Sequence, residues 1–232
     1  RDVSIPTIAW TTSELESVRS SRRLCDYLEA EWPRLGLPRD VHILELGAGD
    51  GWLGMTVARN LVAISGQSTT RVTDQEGYRI RSLSQNVAYN VAKGLPLDNL
   101  GHGVLDWEHQ QVWSDGTQEG TLHLLIGADV VEESSARHLA RTIRDFLSQK
   151  QEMLVLLAHQ MMRSLDANEA FFQALQSQHL EPWIVAAESQ ASLELKEEAK
   201  GVVILQITCQ KQDQWLLPWS DSLTGLEDTF YV

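Results

Sequence analysis

The stretch Val41-His42-Ile43-Leu44-Glu45-Leu46-Gly47-Ala48-Gly49-Asp50-Gly51-Trp52-Leu53-Gly54 limits the possible folds more than any other part of the chain. A short apolar run that passes into closely spaced glycines and then into helix-forming residues reads as a buried parallel strand, a tight turn and a helix start. Glycine lets the backbone turn sharply and approach a ligand, and N–H groups at a helix start point at whatever sits there. Beyond this stretch, apolar runs alternate with helical periodicities. That alternation predicts an α/β fold built on a doubly wound, mostly parallel sheet.

Apolar spacing predicts a helix over 13–31, with Leu15, Val18, Cys25 and Leu28 on one face, ended by Pro33 and Pro38. The first strand is expected over 41–46. A helix over 50–61 follows, with Trp52, Met55 and Val62 near one stripe. A second strand over 70–73 ends at Asp74. The next helix, 77–91, spaces Ile80, Leu83, Val87 and Val91 by three or four, and a short strand follows at 103–105. Residues 108–120 are polar and read as a surface loop or hairpin. A buried strand over 121–127 ends at Asp129, followed by a helix over 136–147, a strand over 153–158 and a helix over 168–179. Segments 182–187 and 201–209 read as the closing strands. The chain is expected to be one domain, with a helical lead-in over 1–40, a core over 41–210 and a tail over 211–232.

In a doubly wound sheet, ligands sit at the carboxyl ends of the strands near the point where strand order reverses. The glycine turn, Asp74, Asp106 and Asp129 fall at or just past four such ends. Their convergence on one crevice is firmer ground than any one motif. Glu45 lies two residues before the first glycine, where a carboxylate disfavours a pyrophosphate and suits a ligand with a cationic amino group. S-adenosylmethionine carries such a group and a sulfonium, and it has no phosphate, which points to methyl transfer. Gly47, Gly49 and Gly51 would form the turn under its methionine part. Asp74, at the end of the second strand, can accept hydrogen bonds from both ribose hydroxyls. Asp106 can accept from the adenine amino group while Trp107 packs on the ring. The overlapping Gly49-x-Gly51-x-x-Gly54 matches a dinucleotide fingerprint, but its first glycine lies past the strand end where that fingerprint begins. Asn86 and Asn90, four apart on a helix, read as a solvated face, and His159, just past an apolar strand, reads first as structural.

Composition narrows the partners. With 232 residues, 43% apolar and 22% charged, the chain has ordinary globular usage and enough length for a sizeable core. A net charge of −13 argues against non-specific binding to nucleic acid or anionic membrane and favours basic partners. Cys25 and Cys209 lie far apart, so neither a disulfide framework nor a metal site is expected. No apolar stretch approaches the roughly 20 residues of a membrane span. The expected setting is reducing and intracellular, the cytoplasm with the nucleus as an addition, and the expected state is a monomer.

Taken together, Leu44 to Gly54, Thr73-Asp74, Asn86-Val87-Ala88-Tyr89-Asn90, Leu105-Asp106-Trp107 and Ile126-Gly127-Ala128-Asp129-Val130-Val131 resemble the class I, seven-strand S-adenosylmethionine-dependent methyltransferases. More narrowly, the chain resembles the methyltransferase-like group that contains many protein-lysine methyltransferases. Ala9-Trp10 followed by Leu24-Cys25-Asp26-Tyr27-Leu28-Glu29 resembles that group's upstream segment. The resemblance implies a Rossmann-like sheet of seven strands whose last, 201–209, runs antiparallel. It also implies cofactor contacts from Trp10, Glu45, Gly47, Asp74, Trp107 and Ala128. Lysine-specific members carry Asp-x-x-Tyr after the fourth strand. Here the run is Asp129-Val130-Val131-Glu132, with a carboxylate where the aromatic wall would stand. Asp129 and Glu132 are therefore the candidates for lining the acceptor site and binding a cationic side chain. The expected activity is methylation of a nitrogen on a protein side chain, lysine favoured. The alternatives are small-molecule methylation and a non-catalytic cofactor-binding interaction protein.

Overall fold

In the computed structural model, which describes residues 18–109, 122–149, 152–160, 164–187 and 201–209, strands and helices alternate as the apolar patterning predicts. The helices are α1 (Val18–Glu31), α2 (Trp52–Val62), α3 (Tyr78–Ala92), α4 (Ala136–Gln149) and α5 (Leu165–Ser177). The strands are β1 (His42–Glu45), β2 (Thr69–Asp74), β3 (Leu100–Val104), β4 (Leu124–Ala128), β5 (Leu154–Gln160), β6 (Leu180–Ala187) and β7 (Val202–Cys209). They form one seven-stranded sheet in the order β3-β2-β1-β4-β5-β7-β6. Pairings from β3 across to β5 are parallel. Strand β7 runs antiparallel to both β5 and β6, so the last strand is the reversed one, as the resemblance implies. Strand order changes direction between β1 and β4, which puts the switch-point crevice beside the glycine turn.

Alternation along the central strands sends successive side chains to opposite faces, and both faces are covered. Leu125, Leu157 and Leu205 face α4 and α5, where they pack with Leu139, Ile143, Phe171 and Leu175. Ile43, Leu124, Ile126, Leu156 and Ile204 face the opposite way, against Leu24 and Leu28 of α1 and Leu53 and Val57 of α2. No helix among the described residues is long and apolar enough to cross a membrane.

Several expectations shift in register. Helix α1 buries Ser20, Ser21, Leu24 and Leu28, while Val18 and Cys25 are only half-buried. Small serines on the packed side let the helix sit close to its neighbours. Most of α2 is buried, yet Val62, its last residue, is exposed. In α3 the buried stripe is Leu83, Asn86 and Asn90, and Val91 is exposed. The solvated-face reading of Asn86 and Asn90 is thus overturned by their internal hydrogen bonds, given below. Strand β3 starts at Leu100, earlier than expected, since Gly101 and Gly103 weaken the strand signal while full pairing with β2 supplies the order. Strand β5 continues through His159 and Gln160 because both pair with β7. Helix α5 begins at Leu165, capped by the Ser164 hydroxyl accepting from Ala167 N at 3.2 Å. Leu15 and the segments 110–121, 188–200 and 210–232 lie outside the described residues.

Candidate functional site

The glycine turn is held by two backbone bonds and one side-chain bond that involve three strands. Leu46 N donates to Ile126 O of β4 at 2.9 Å, Ala48 N to Thr73 O of β2 at 2.8 Å, and Thr73 Oγ1 donates to Glu45 O of β1 at 2.6 Å. Gly47, Gly49 and Gly51 all have positive φ, at 61°, 55° and 82°. A Cβ on Gly49 would meet no atom within 4 Å, so the crest of the turn is open. A Cβ on Gly54, one turn into α2, would run into Val72 and the Glu45 carboxyl. Gly54 therefore keeps α2 pressed against β1 and β2, the packing task of the third glycine in the fingerprint.

Glu45 is 2% exposed and lies behind the turn, its carboxyl packed against Gly54. Burial pushes that carboxyl up to about 8, the nearby Gly54 backbone N–H pulls it back, and Asp74 adds to the rise. Asp74 ends β2 at 6% exposure. Its Oδ2 accepts from Gly49 N at 2.7 Å and its Oδ1 from Gln75 N at 2.8 Å. One carboxylate thus fixes the crest of the turn and stands at its edge. Asn86 supports the turn from α3, donating from Nδ2 to Asp50 O at 3.1 Å, and Asn90 Nδ2 donates to Asn86 O at 2.9 Å. The signal for this pair was in the sequence: both fall in helical register with Leu83, at i+3 and i+7.

Past β3, Asp106 is engaged by its own loop. It accepts from Glu108 N at 2.9 Å and from His109 N at 3.4 Å, and it pairs with His109 Nδ1 at 2.9 Å. The His109 bond holds the Asp106 carboxyl below its usual range, and the same bond raises His109. Trp107 lays its ring edge 3.2 Å from where a Gly47 Cβ would be. Its Nε1 is buried with no hydrogen-bond partner among the described residues. Arg141 of α4 ties the loop down by donating to Trp107 O at 3.4 Å and Glu108 O at 3.3 Å.

The second half of the crevice lies at the ends of β4 and β5. Ala128 closes β4, half-buried and opposite Ala158 of β5. Asp129 comes next, in the left-handed region at φ 53°, and its N–H donates to Ala158 O at 3.0 Å. A non-glycine residue in that region is uncommon, and aspartate is among the few that tolerate it. Val130 is buried where a Gly47 Cβ would touch it, which joins the turn to the loop after β4. There a cavity of about 230 Å³ is lined by Asp129, Val131, Glu132, Glu133, His159 and Asn168, with Ser164 and Ala167 at the start of α5. Asp129 and Glu132 are thus brought together. His159 Nε2 lies 2.6 Å from Asn168 Oδ1. Sequence reasoning missed Glu133, Ser164 and Asn168, although an Asn in register with buried Phe171, Phe172 and Leu175 marked a polar group turned inward. Trp10 lies outside the described residues.

The first half fits S-adenosylmethionine: an open glycine crest, a carboxylate beside it, and an indole with a buried N–H over the turn. Among the described residues no group of three or more His, Cys, Asp or Glu could hold a metal ion. The profile of a family described as lysine methyltransferase matches residues 19–178. No curated protein matches the chain. Among solved structures it is similar to a magnesium protoporphyrin IX methyltransferase from Synechocystis with bound SAH, at 12% identity and a TM-score of 0.52, covering 82% of each chain. It is also similar to a precorrin-6y methyltransferase from Geobacter metallireducens, at 13% identity and a TM-score of 0.50, covering 80% of this chain and 88% of that one. The tRNA methyltransferase TrmK of B. subtilis aligns at 9% identity and a TM-score of 0.50, covering 84% of this chain and 67% of that one. At such identities the likeness shows a shared fold, the class I methyltransferase sheet.

Proposed function

Because the chain belongs to the lysine methyltransferase family, and so is an S-adenosylmethionine-dependent methyltransferase, we propose that it methylates the side-chain nitrogen of a protein lysine. The observation that carries the reading is the small acidic cavity at the ends of β4 and β5, joined to the glycine turn through Val130. At about 230 Å³ it lies below the roughly 300–1,000 Å³ of pockets for drug-sized ligands, which suits one extended side chain better than a large ring system. Its edge carries Asp129, Glu132 and Glu133, which attract a cation. A net charge of −13 favours a basic protein as the partner.

In this reading Gly47, Gly49 and Gly51 cradle the cofactor's methionine part, Asp74 receives its ribose, and Asp106 and Trp107 face its adenine, with Ala128 at the floor and Trp10 joining from upstream. Glu45 acts on the amino end from behind the turn, through the N-terminal turn of α2 that it holds. Bound S-adenosylmethionine supplies a methyl group already activated on a sulfonium. What the chain adds is position and charge. Asp129 and Glu132 draw the ammonium into the cavity and hold its nitrogen on the side facing the turn. An ammonium has no lone pair, so the site must also remove a proton from an amine that ordinarily titrates near about 10.4.

The test is transfer of labelled methyl groups to proteins of a cell extract, followed by complete hydrolysis and separation of the labelled amino acids. Label in methyl-lysine is the expected outcome. Label confined to other amino acids or to the small-molecule fraction, or no transfer at all, would defeat the reading.

A further inference from the structure

We propose that His159 is the base that takes the proton from the acceptor ammonium, and that Asn168 is the positioning residue that fixes its tautomer. The inference rests on the amine-acceptor reading above. His159 is two residues beyond Leu157 on β5 and so points to the same α4–α5 side of the sheet, where the cavity lies. It is only 4% exposed, yet it lines that cavity with Asp129 and Glu132.

Its chemistry follows from the 2.6 Å contact between Nε2 and Asn168 Oδ1. An amide oxygen only accepts, so the ring hydrogen is on Nε2, and Nδ1 is the basic nitrogen of the neutral ring. Asn168 is itself 7% exposed and stands in the first turn of α5, anchored by the Ser164 cap and by Asn168 N donating to Ser164 O at 3.1 Å. A buried polar pair in register with a packed helix face keeps one geometry.

Among the described residues, the titratable groups around this cavity are Asp129, Glu132 and Glu133, all from the loop after β4. Ser164 and Asn168 from α5, and Val203 opposite His159 on β7, are neutral. The carboxylates suit attraction of the ammonium. As proton acceptors they are poor partners for an amine, because carboxylates ordinarily titrate near about 4 and imidazole near about 6.5. The same carboxylates stabilise the imidazolium once it forms. In the step, an N–H bond of the ammonium breaks, its proton bonds to Nδ1 and the electron pair stays on nitrogen. After methyl transfer the imidazolium returns its proton to water at the cavity mouth.

The test uses n-butylamine, the lysine side chain without its backbone, as acceptor for wild type, His159→Gln and Asn168→Ser. Expected is a fall in kcat of about 100-fold for His159→Gln at pH 7, shrinking toward pH 9.5 as the ammonium loses its proton unaided, with KM within about twofold. Asn168→Ser should give a smaller loss with the same pH trend. A deficit equal at every pH, or none, would overturn the assignment. A second readout needs neither turnover nor a folded variant: nitrogen NMR of histidine-labelled wild type. It should show His159 with hydrogen on Nε2 at high pH and Nδ1 gaining a proton as pH falls. Hydrogen on Nδ1 in the neutral ring overturns the proposal. If the pH pattern holds for n-butylamine but extract proteins yield no methyl-lysine, the lysine reading fails and the base assignment stands.

Discussion

The two halves of the crevice are built from different material. At the β1–β2 end the site is made largely of backbone: positive-φ glycines, N–H groups tied to neighbouring strands, and a buried Asp74 carboxylate bonded to Gly49 N. At the β4–β5 end it is made of side chains: Asp129, Glu132 and Glu133 at the edge, and His159 with Asn168 inside. Backbone geometry leaves little room for substitution, which suits a ligand that never changes. Side chains can be exchanged without disturbing the fold, which suits an acceptor that does. Glu132, at the position where the resemblance implies a tyrosine, belongs to this second kind of material.

The contrast can be broken most forcefully at Gly54. Gly54→Ala drives a methyl group into Val72 and the Glu45 carboxyl. Overpacking of that kind costs about 3 kcal/mol, so the melting temperature should drop by several degrees and cofactor binding should weaken with it. If calorimetry and thermal melts show neither change, the turn is not the rigid half. Asp74→Ala should be next in size. Removing the acceptor of Gly49 N leaves a donor without its partner, worth about 2 kcal/mol, or roughly 30-fold in affinity for S-adenosylmethionine and S-adenosylhomocysteine by calorimetric titration. Equal loss of turnover with affinity intact would place Asp74 in the other half.

A pH series tests Glu45. Its carboxyl is raised to about 8 in the folded protein, chiefly by burial. The stability contributed by its protonated form is complete below the unfolded value near about 4.5 and is lost as pH rises through about 8. Between about pH 7 and pH 9 wild type should therefore lose on the order of 1 kcal/mol that Glu45→Gln, which cannot ionise, retains. The gap in melting temperature between the two should widen with pH in favour of the variant. A constant gap would mean that the group is already ionised at neutral pH. The smallest effect is expected at Glu132, because it is exposed. Glu132→Gln should reduce kcat/KM for an amine acceptor about fivefold, near 1 kcal/mol, while S-adenosylmethionine affinity stays put. A matching loss of cofactor affinity would erase the boundary between the halves.

The sequence by itself determined the sheet, the glycine turn and the positions of Asp74 and Asp129 at strand ends. Each of these follows from local rules: apolar runs of strand length, glycine where φ must be positive, and ligand sites at carboxyl ends of parallel strands. Which face of each helix is buried was less legible. In α3 the valines at 87 and 91 offered a plausible stripe, but the turn of Gly49 to Gly51 needed a donor at Asp50 O, and Asn86 supplied it from the adjacent face, with Asn90 bonded in turn to Asn86 O. A pattern of apolar residues says nothing about a hydrogen-bonding demand set by another part of the chain. The same reason hid the His159–Asn168 pair. The partners come from a strand and a helix, and only the packing of α5 over β5 brings Nε2 and Oδ1 to 2.6 Å. Tertiary structure alone also decided the state of Glu45, since a carboxyl two residues before a glycine is written in the sequence, whereas its burial beneath Gly54 and beside Asp74 is not.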